Sequence, residues 1–205
     1  MKYEIVATPA DNIYMGPCIM IAALMSSDKE VLLLVKTENS PFAICKRNEK
    51  IFFEEGDFRY TSGIPLRISD ACVTGTLGDT ACSCHVDSVE YLEMMQKNSV
   101  GIFLYLPHEG MGRGLLAKLL DHRLQLGLGV DGQNAHPMSF EESAKVLFGD
   151  SSYDSRVYKD VGELFKQLGL DVLPFLYFGE NVRKMEKIRM ETGLHLIIPP
   201  EDTHE

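Results

Sequence analysis

The sequence predicts an α+β or mixed α/β domain, a β-rich N-terminal part followed by alternating strands and helices. Three observations predict it. Short apolar runs broken by polar turns fill residues 1–64, helical periodicity first appears after a group of cysteines, and strand-like and helix-like segments alternate from there. A chain of 205 residues suits a single domain with a core of its own. Its parts are expected to be a β-rich segment (1–64), a site-bearing segment (65–198) and a loose tail (199–205).

Gly16 to Met25 is a long apolar run, and Glu30 to Lys36 reads as a strand. Pro41 to Cys45 and Ile51 to Phe53 are expected as further strands. Val86 to Lys97 carries apolar residues at Val86, Val89, Leu92 and Met95, a helical period. Gly101 to Leu106 is a continuous apolar run, as in a buried strand. Leu115 to Leu126, Glu141 to Phe148 and Lys159 to Leu168 read as helices, the last stopped by Gly169. Asp171 to Tyr177 is expected as a strand, Asn181 to Glu191 as a helix and Leu194 to Ile198 as a last strand. Pro199 to Glu205 is polar.

Net charge is −10. That opposes non-specific nucleic-acid binding, which needs a basic face to displace counterions, but it leaves room for a nucleotide substrate. No apolar run approaches the roughly 18 residues of a membrane span. The N-terminus lacks the basic-then-apolar pattern of a signal peptide. A cytoplasmic protein with reduced thiols is expected.

Five cysteines are present, and three fall close together at Cys72, Cys82 and Cys84. In a reducing compartment this clustering points to metal coordination, and soft thiolates suit Zn2+. Three ligands would leave one position open for water or substrate. A closed zinc knot, completed by His85 or another histidine, is the alternative. Cys18 and Cys45 stand alone in apolar segments and read as buried small hydrophobes.

Three more segments place polar residues where packing does not need them. Pro107-His-Glu-Gly-Met-Gly-Arg-Gly-Leu-Leu116 follows a strand and opens a helix. Such a Gly-rich turn exposes backbone N–H groups and admits a ligand closely, and Glu109 could accept hydrogen bonds from a base or sugar. Asp154-Ser-Arg156 offers a base and a phosphate-binding guanidinium, or a plain surface turn. Asn181-Val-Arg-Lys184 puts cations at a helix start, which the helix dipole disfavours unless an anion is near. A solvated helix face is the simpler reading.

Taken in order, these residues resemble GTP cyclohydrolase II. The family pattern runs Arg-x-His-Ser-Glu-Cys-Leu-Thr-Gly-Asp, Arg-Cys-Asp-Cys-Gly, Glu-Gly-Arg-Gly-Ile-Gly-Leu and Asp-x-Arg. Here it appears as Arg67-Ile-Ser-Asp-Ala-Cys72-Val-Thr-Gly75, Cys82-Ser-Cys84, Glu109-Gly-Met-Gly-Arg-Gly-Leu115 and Asp154-Ser-Arg156. Leu115 to Lys118 matches as well. The likeness covers about residues 65 to 198.

The resemblance implies that Zn2+ on Cys72, Cys82 and Cys84 activates water toward C8 of a purine, with loss of formate. It implies Arg156 as nucleophile toward the α-phosphate, Asp154 as its activator, pyrophosphate as leaving group and Mg2+ at the triphosphate. The product would be a diaminopyrimidine ribosylamino phosphate in riboflavin synthesis, made by a homodimer. His122 aligns with the family's catalytic Tyr. Arg67, Glu109 and Lys184 fall where the family contacts nucleotide. Ser69, Asp70, Asp87, Gly110, Met111, Arg113, Gly132 and Tyr177 complete the substrate-binding candidates.

The departures are concentrated. His-Ser-Glu before the first cysteine is Ser69-Asp70-Ala71, the Arg of Glu-Gly-Arg is Met111, and a Gln becomes Asp87. About ten residues are inserted between Asp131 and Asp154. The zinc ligands, Asp154 and Arg156 survive while base-recognition positions change. This favours zinc hydrolysis on GTP or a close relative, and leaves open a paralogue with altered substrate or product. A non-catalytic zinc-stabilised nucleotide-binding module is a second reading. A nucleobase deaminase is a third, but its His-x-Glu and Pro-Cys-x-x-Cys signature is missing.

Overall fold

Alternation along the second strand sorts its side chains between two cores, and that division organises the sheet. A computed structural model describes residues 5–47, 51–77, 82–130, 136–149, 154–179 and 181–198. Seven strands form one sheet in the order β1-β2-β3-β5-β4-β6-β7. They are β1 (Ile5–Asn12), β2 (Gly16–Leu24), β3 (Glu30–Lys36), β4 (Ile64–Asp70), β5 (Gly101–Leu106), β6 (Pro174–Tyr177) and β7 (His195–Ile197). β1 to β2, β2 to β3 and β3 to β5 pair antiparallel, while β4 to β6 and β6 to β7 pair parallel.

Successive strand residues face opposite sides. Ile19, Ile21, Leu33, Val35, Ile102 and Leu104 therefore join one large core, together with Val161, Leu164 and Phe165 of one helix and Met185 and Ile188 of another. Cys18, Leu34 and Phe103 face the other way, against Tyr91, Leu92 and Met95. Those last three belong to α3 (Cys84–Lys97), the helix expected from its apolar period. Cys18 is fully buried as expected, and Cys45 is half-buried.

Residues 41–47 correct the sequence reading. Pro41 to Cys45 is not a strand but the start of α1 (Pro41–Arg47). Proline at the first helical position is preorganised for a helix, and the Ala43 and Ile44 amides donate to Ser40 O. Ile44 is buried between exposed Phe42 and half-buried Cys45, a one-sided helical pattern. Ile51 to Phe53 forms no strand either. Phe53 is instead an anchor, 1% exposed, with its amide on Leu168 O. Asp171 to Tyr177 is strand only over β6, because a turn from Leu170 to Leu173 occupies its start. β1 was not anticipated; its residues are half-buried or exposed, and Pro9, Asp11 and Asn12 are residue types usual in turns.

The chain divides into two compact units. The first holds the sheet, α1, α3, α6 (Lys159–Gln167) and α7 (Val182–Thr192). The second comprises residues 70–82 and 107–157, the segments that follow β4 and β5. It contains α2 (Val73–Thr76), a 3-10 turn at Glu109–Gly112, α4 (Leu115–Gln125) and α5 (Phe140–Phe148).

In the first unit α6 crosses the end of α7 closely. A Cβ placed on Gly162 would lie 2.8 Å from Thr192 O. In the second unit α5 is tied to α4. The Ser143 hydroxyl donates to Asp121, and the Met138 amide donates to Leu124 O. The Arg113 guanidinium lies 4.1 Å over the Phe148 ring at the far end of α5. Pro199 to Glu205 and Gly132 lie outside the described residues.

Candidate functional site

Cys72 follows β4 and caps α2. Its Sγ accepts the Gly75 amide at 3.2 Å, so a sulfur does the work that Ser or Asp usually does at a helix start. Cys82 Sγ lies 3.2 Å from Cys72 Sγ. Cys84 is two residues further, the first residue of α3 and exposed. The three sulfurs lie within 4.8 Å of one another, and they form the only such group of His, Cys, Asp or Glu among the described residues. All donors are thiols, the ligand type that suits Zn2+, so the residues present fit that ion.

Lys118 of α4 completes this side of the second unit. Its Nζ lies 2.7 Å from Cys72 Sγ and 3.5 Å from Glu109 Oε1. Burial works to raise the Cys72 thiol, but the Lys118 ammonium, the Cys82 thiol, the Gly75 amide and the Thr74 hydroxyl outweigh it. The result is a thiol lowered to about 7. Lys118 responds in the opposite sense: burial opposes its charge, and the neighbouring thiols and Glu109 raise it above the ordinary lysine value. Glu109 Oε2 accepts the Val73 amide at 2.6 Å. Glu109 therefore fixes the start of α2, a role its sequence context did not reveal.

The Gly-rich turn is left-handed at consecutive residues: φ is +57° at Gly110, +55° at Met111 and +86° at Gly112. Met111 is the strained member, since a side chain in this region costs roughly 1–2 kcal/mol. Two bonds hold it there, from the Ser155 amide at 3.2 Å and the Ser155 hydroxyl at 3.0 Å, both to Met111 O. Gly112 leaves room for this approach. A Cβ on it would lie 3.0 Å from Ser155 Oγ and 3.1 Å from the Arg156 amide nitrogen.

Arg156 is 7% exposed and lies between two carboxylates. Nε and Nη2 donate to Asp154 Oδ1 and Oδ2 at 2.8 and 2.6 Å, a bidentate grip. Nη1 donates to Asp70 Oδ2 at 2.5 Å. Asp70 Oδ1 in turn lies 3.1 Å from His108 Nδ1. Asp154 thus grips the residue that the resemblance has it activate. Asp70, expected to touch substrate, is engaged with Arg156 and His108.

The remaining candidates sit in the first unit, His122 excepted. Arg67 Nη2 contacts Asp87 Oδ2 at 3.4 Å, and Asp87 also accepts from the Ser83 hydroxyl. Arg67 Nε is buried with no hydrogen-bond partner among the described residues, a donor available to a bound group. Ser69 Oγ pairs with Ser88 Oγ at 3.0 Å. Lys184 Nζ donates to Ile68 O at 2.6 Å, which shows where a cation near the start of α7 finds its counter-dipole. Tyr177 is buried, and Gly179 lies against its ring. His122 is half-buried on α4 beside Asp121. Sequence reading missed Lys118, His108 and Ser155 as site residues. Lys118 had a signal, because it closes the matched Leu115 to Lys118 motif. The other two are ordinary loop residues until the fold brings their partners to them.

Comparison with known proteins agrees with this arrangement. A family model described as GTP cyclohydrolase II matches residues 27–194. The GTP cyclohydrolase-2 of Picrophilus torridus is 29% identical over 149 residues, 71% of this chain and 72% of that protein. The riboflavin biosynthesis protein RibBA of Bacillus cytotoxicus is 31% identical over 164 residues, 77% of this chain and 38% of that protein. The GTP cyclohydrolase-2 of Xylella fastidiosa is 28% identical over 130 residues, 63% of this chain and 29% of that protein. The match thus spans about a third of the length of these longer relatives.

Proposed function

The chain belongs to the GTP cyclohydrolase II family of hydrolases, and from that premise we propose that it hydrolyses GTP or a close purine relative. The imidazole ring opens, formate and pyrophosphate leave, and a diaminopyrimidine ribosylamino phosphate remains. The observation that carries this reading is the group of three thiols within 4.8 Å, with Lys118 against Cys72. When bound, Zn2+ supplies a Lewis acid that makes water an effective nucleophile near neutral pH.

The chain's own residues do the rest. Cys72, Cys82 and Cys84 would hold the ion, and Lys118 would offset part of the negative charge of their thiolates. Glu109 keeps α2, and with it Cys72, in place through the Val73 amide. Arg156 serves the phosphate side, oriented by Asp154. Arg67 Nε offers an unpaired donor to the nucleotide. His122 is the proton carrier where the family has Tyr, an imidazole being able both to donate and to accept a proton. The triphosphate would carry Mg2+ with it, an ion that takes few protein ligands when phosphates bind it.

No helix among the described residues is long and apolar enough to cross a membrane. A homodimer in the cytoplasm is the setting we propose. The replacement of the family's Arg by Met111 removes one polar group from the Gly-rich turn. It favours a purine other than GTP as the alternative substrate within the same chemistry.

The test is formate release from GTP by zinc-loaded protein, compared with Cys82→Ser. Formate from the parent and a loss of at least about a hundredfold in the variant supports the reading. Equal rates in both would remove the thiol group from the reaction.

A further inference from the structure

We infer that Asp70 and His108 are positioning residues for Arg156, a role that rests on the hydrolase reading above. Asp154 grips Nε and Nη2 along one edge of the guanidinium. That pair alone leaves the plane free to swing with the Asp154-Ser155-Arg156 loop. Asp70 removes this freedom. Its Oδ2 takes Nη1 at 2.5 Å from a different segment of chain, the end of β4. A planar cation held on two sides by carboxylates from separate segments has a fixed place and tilt.

Asp70 itself needs a fixed rotamer to do this, and His108 supplies it. His108 Nδ1 lies 3.1 Å from Asp70 Oδ1, the oxygen not used by Arg156. A carboxylate is an acceptor, so Nδ1 carries the proton and donates. His108 is 9% exposed and directly precedes Glu109, so it is set by the same turn that sets Glu109. The order of dependence is His108, then Asp70, then Arg156. All three lie in the second unit, as does Asp154.

The pairing with Arg156 and His108 thus gives the changed residue Asp70 an explanation. Asp70 stands in the segment Ser69-Asp70-Ala71, where the resemblance has His-Ser-Glu. A carboxylate there would be an expensive buried charge by itself; with Arg156 on one oxygen and His108 on the other it is satisfied.

Four variants test this: Asp70→Asn, His108→Leu, His108→Asn and Arg156→Lys. Leu keeps the volume of His108 and loses the donor. Asn gives up volume but places an amide N–H where Nδ1–H was. Two readouts are taken on zinc-loaded protein, with zinc stoichiometry confirming that each variant is folded. The first is kcat and KM for GTP. Asp70→Asn and His108→Leu are expected to lower kcat at least about tenfold, the worth of one charge-assisted hydrogen bond, with KM within about threefold. His108→Asn is expected to recover most of the loss.

The second readout does not depend on turnover. In ¹⁵N-edited spectra the Arg156 Nη1 protons, assigned by their loss in Arg156→Lys, exchange slowly in the parent. They should exchange at least about tenfold faster in Asp70→Asn and His108→Leu, and near the parental rate in His108→Asn. Parental spectra in His108→Leu, or equal damage from Leu and Asn, would overturn the inference. Absence of GTP turnover in the parent overturns the proposed reaction instead, and the spectra then decide the positioning role alone.

Discussion

Lys118 lies 2.7 Å from Cys72 Sγ, and this contact decides how a thiol buried under α2 carries charge near neutral pH. An ammonium beside a thiolate also belongs among the groups that tune a metal ligand from outside the ligand shell. Lys118→Ala is therefore expected to weaken zinc binding about 10- to 100-fold in a chelator competition titration, while Lys118→Arg keeps most of the affinity. Equal affinity in Lys118→Ala would show that the contact does nothing for the metal.

Candidate residues were legible in the sequence to the extent that their chemistry is local. Cys82 and Cys84 are neighbours in the chain, so spacing pointed to them, whereas Asp154 and Arg156 were joined by the family resemblance. The contacts of Asp70 with His108 and Arg156 were not legible, because those residues lie 38 and 86 positions away. The bond from the Val73 amide to Glu109 was hidden for the same reason, since its two residues lie 36 positions apart.

Among the elements, the Gly-rich turn is the one most tightly specified by backbone geometry. Met111 holds φ of +55° only because Ser155 donates twice to its carbonyl, and Gly112 makes the space. Gly112→Ala is expected to cost about 1–3 kcal/mol of stability, from the left-handed φ and the crowding against Arg156, measured by urea denaturation. Met111→Gly should change stability by less than about 1 kcal/mol, because relief of strain is offset by the entropy of a more flexible unfolded chain. A larger loss in Met111→Gly than in Gly112→Ala would contradict the assignment of strain. Gly162→Ala should likewise cost about 1–3 kcal/mol, because its Cβ would meet the Thr192 backbone, whose carbonyl cannot move without unwinding the end of α7.

α5 carries a pH signature of its own. The Glu142 carboxylate takes the Ser139 amide and the Ser139 hydroxyl also acts on it, so its value falls below the usual 4.5. The sign follows from linkage: a carboxyl lowered in the folded state stabilises above its unfolded value and loses that contribution as pH falls through the folded value. Amide exchange in the first turn of α5 should therefore quicken, relative to α4, as pH drops below 4.5. Glu142→Gln should remove that difference. An unchanged profile in the variant would show that the cap does not hold the helix start.

Elements with strong period or unbroken apolar runs were readable: α3, α6, β3 and β5 lie where their patterns put them. α1 was not. Its apolar residues look strand-like over five positions, and only the Pro41 start and the one-sided burial of Ile44 distinguish a helix. β1 escaped because this edge strand buries no residue fully and carries Pro9, Asp11 and Asn12, which read as turn residues.

For the molecule as a whole, the sequence places chemistry in the two segments that follow β4 and β5, and the second unit gathers most of it: two of the three thiols, Lys118 and Glu109, and the Arg156 clamp. The rest of the chain builds the sheet from which these segments depart. The family membership is carried by residues 27–194, so β1, β2 and β7 lie outside the matched residues. α5 is attached by a buried hydroxyl–carboxylate bond and a cation–π contact, both of which depend on residues distant in sequence.

The most direct measurement is a product assay. Zinc-loaded protein with Mg2+ and GTP is followed by mass spectrometry, with formate and pyrophosphate quantified in the same reaction. The account predicts equimolar formate and pyrophosphate and a diaminopyrimidine ribosylamino phosphate. GTP left intact by protein that binds one zinc per chain, or pyrophosphate released without formate, would contradict it.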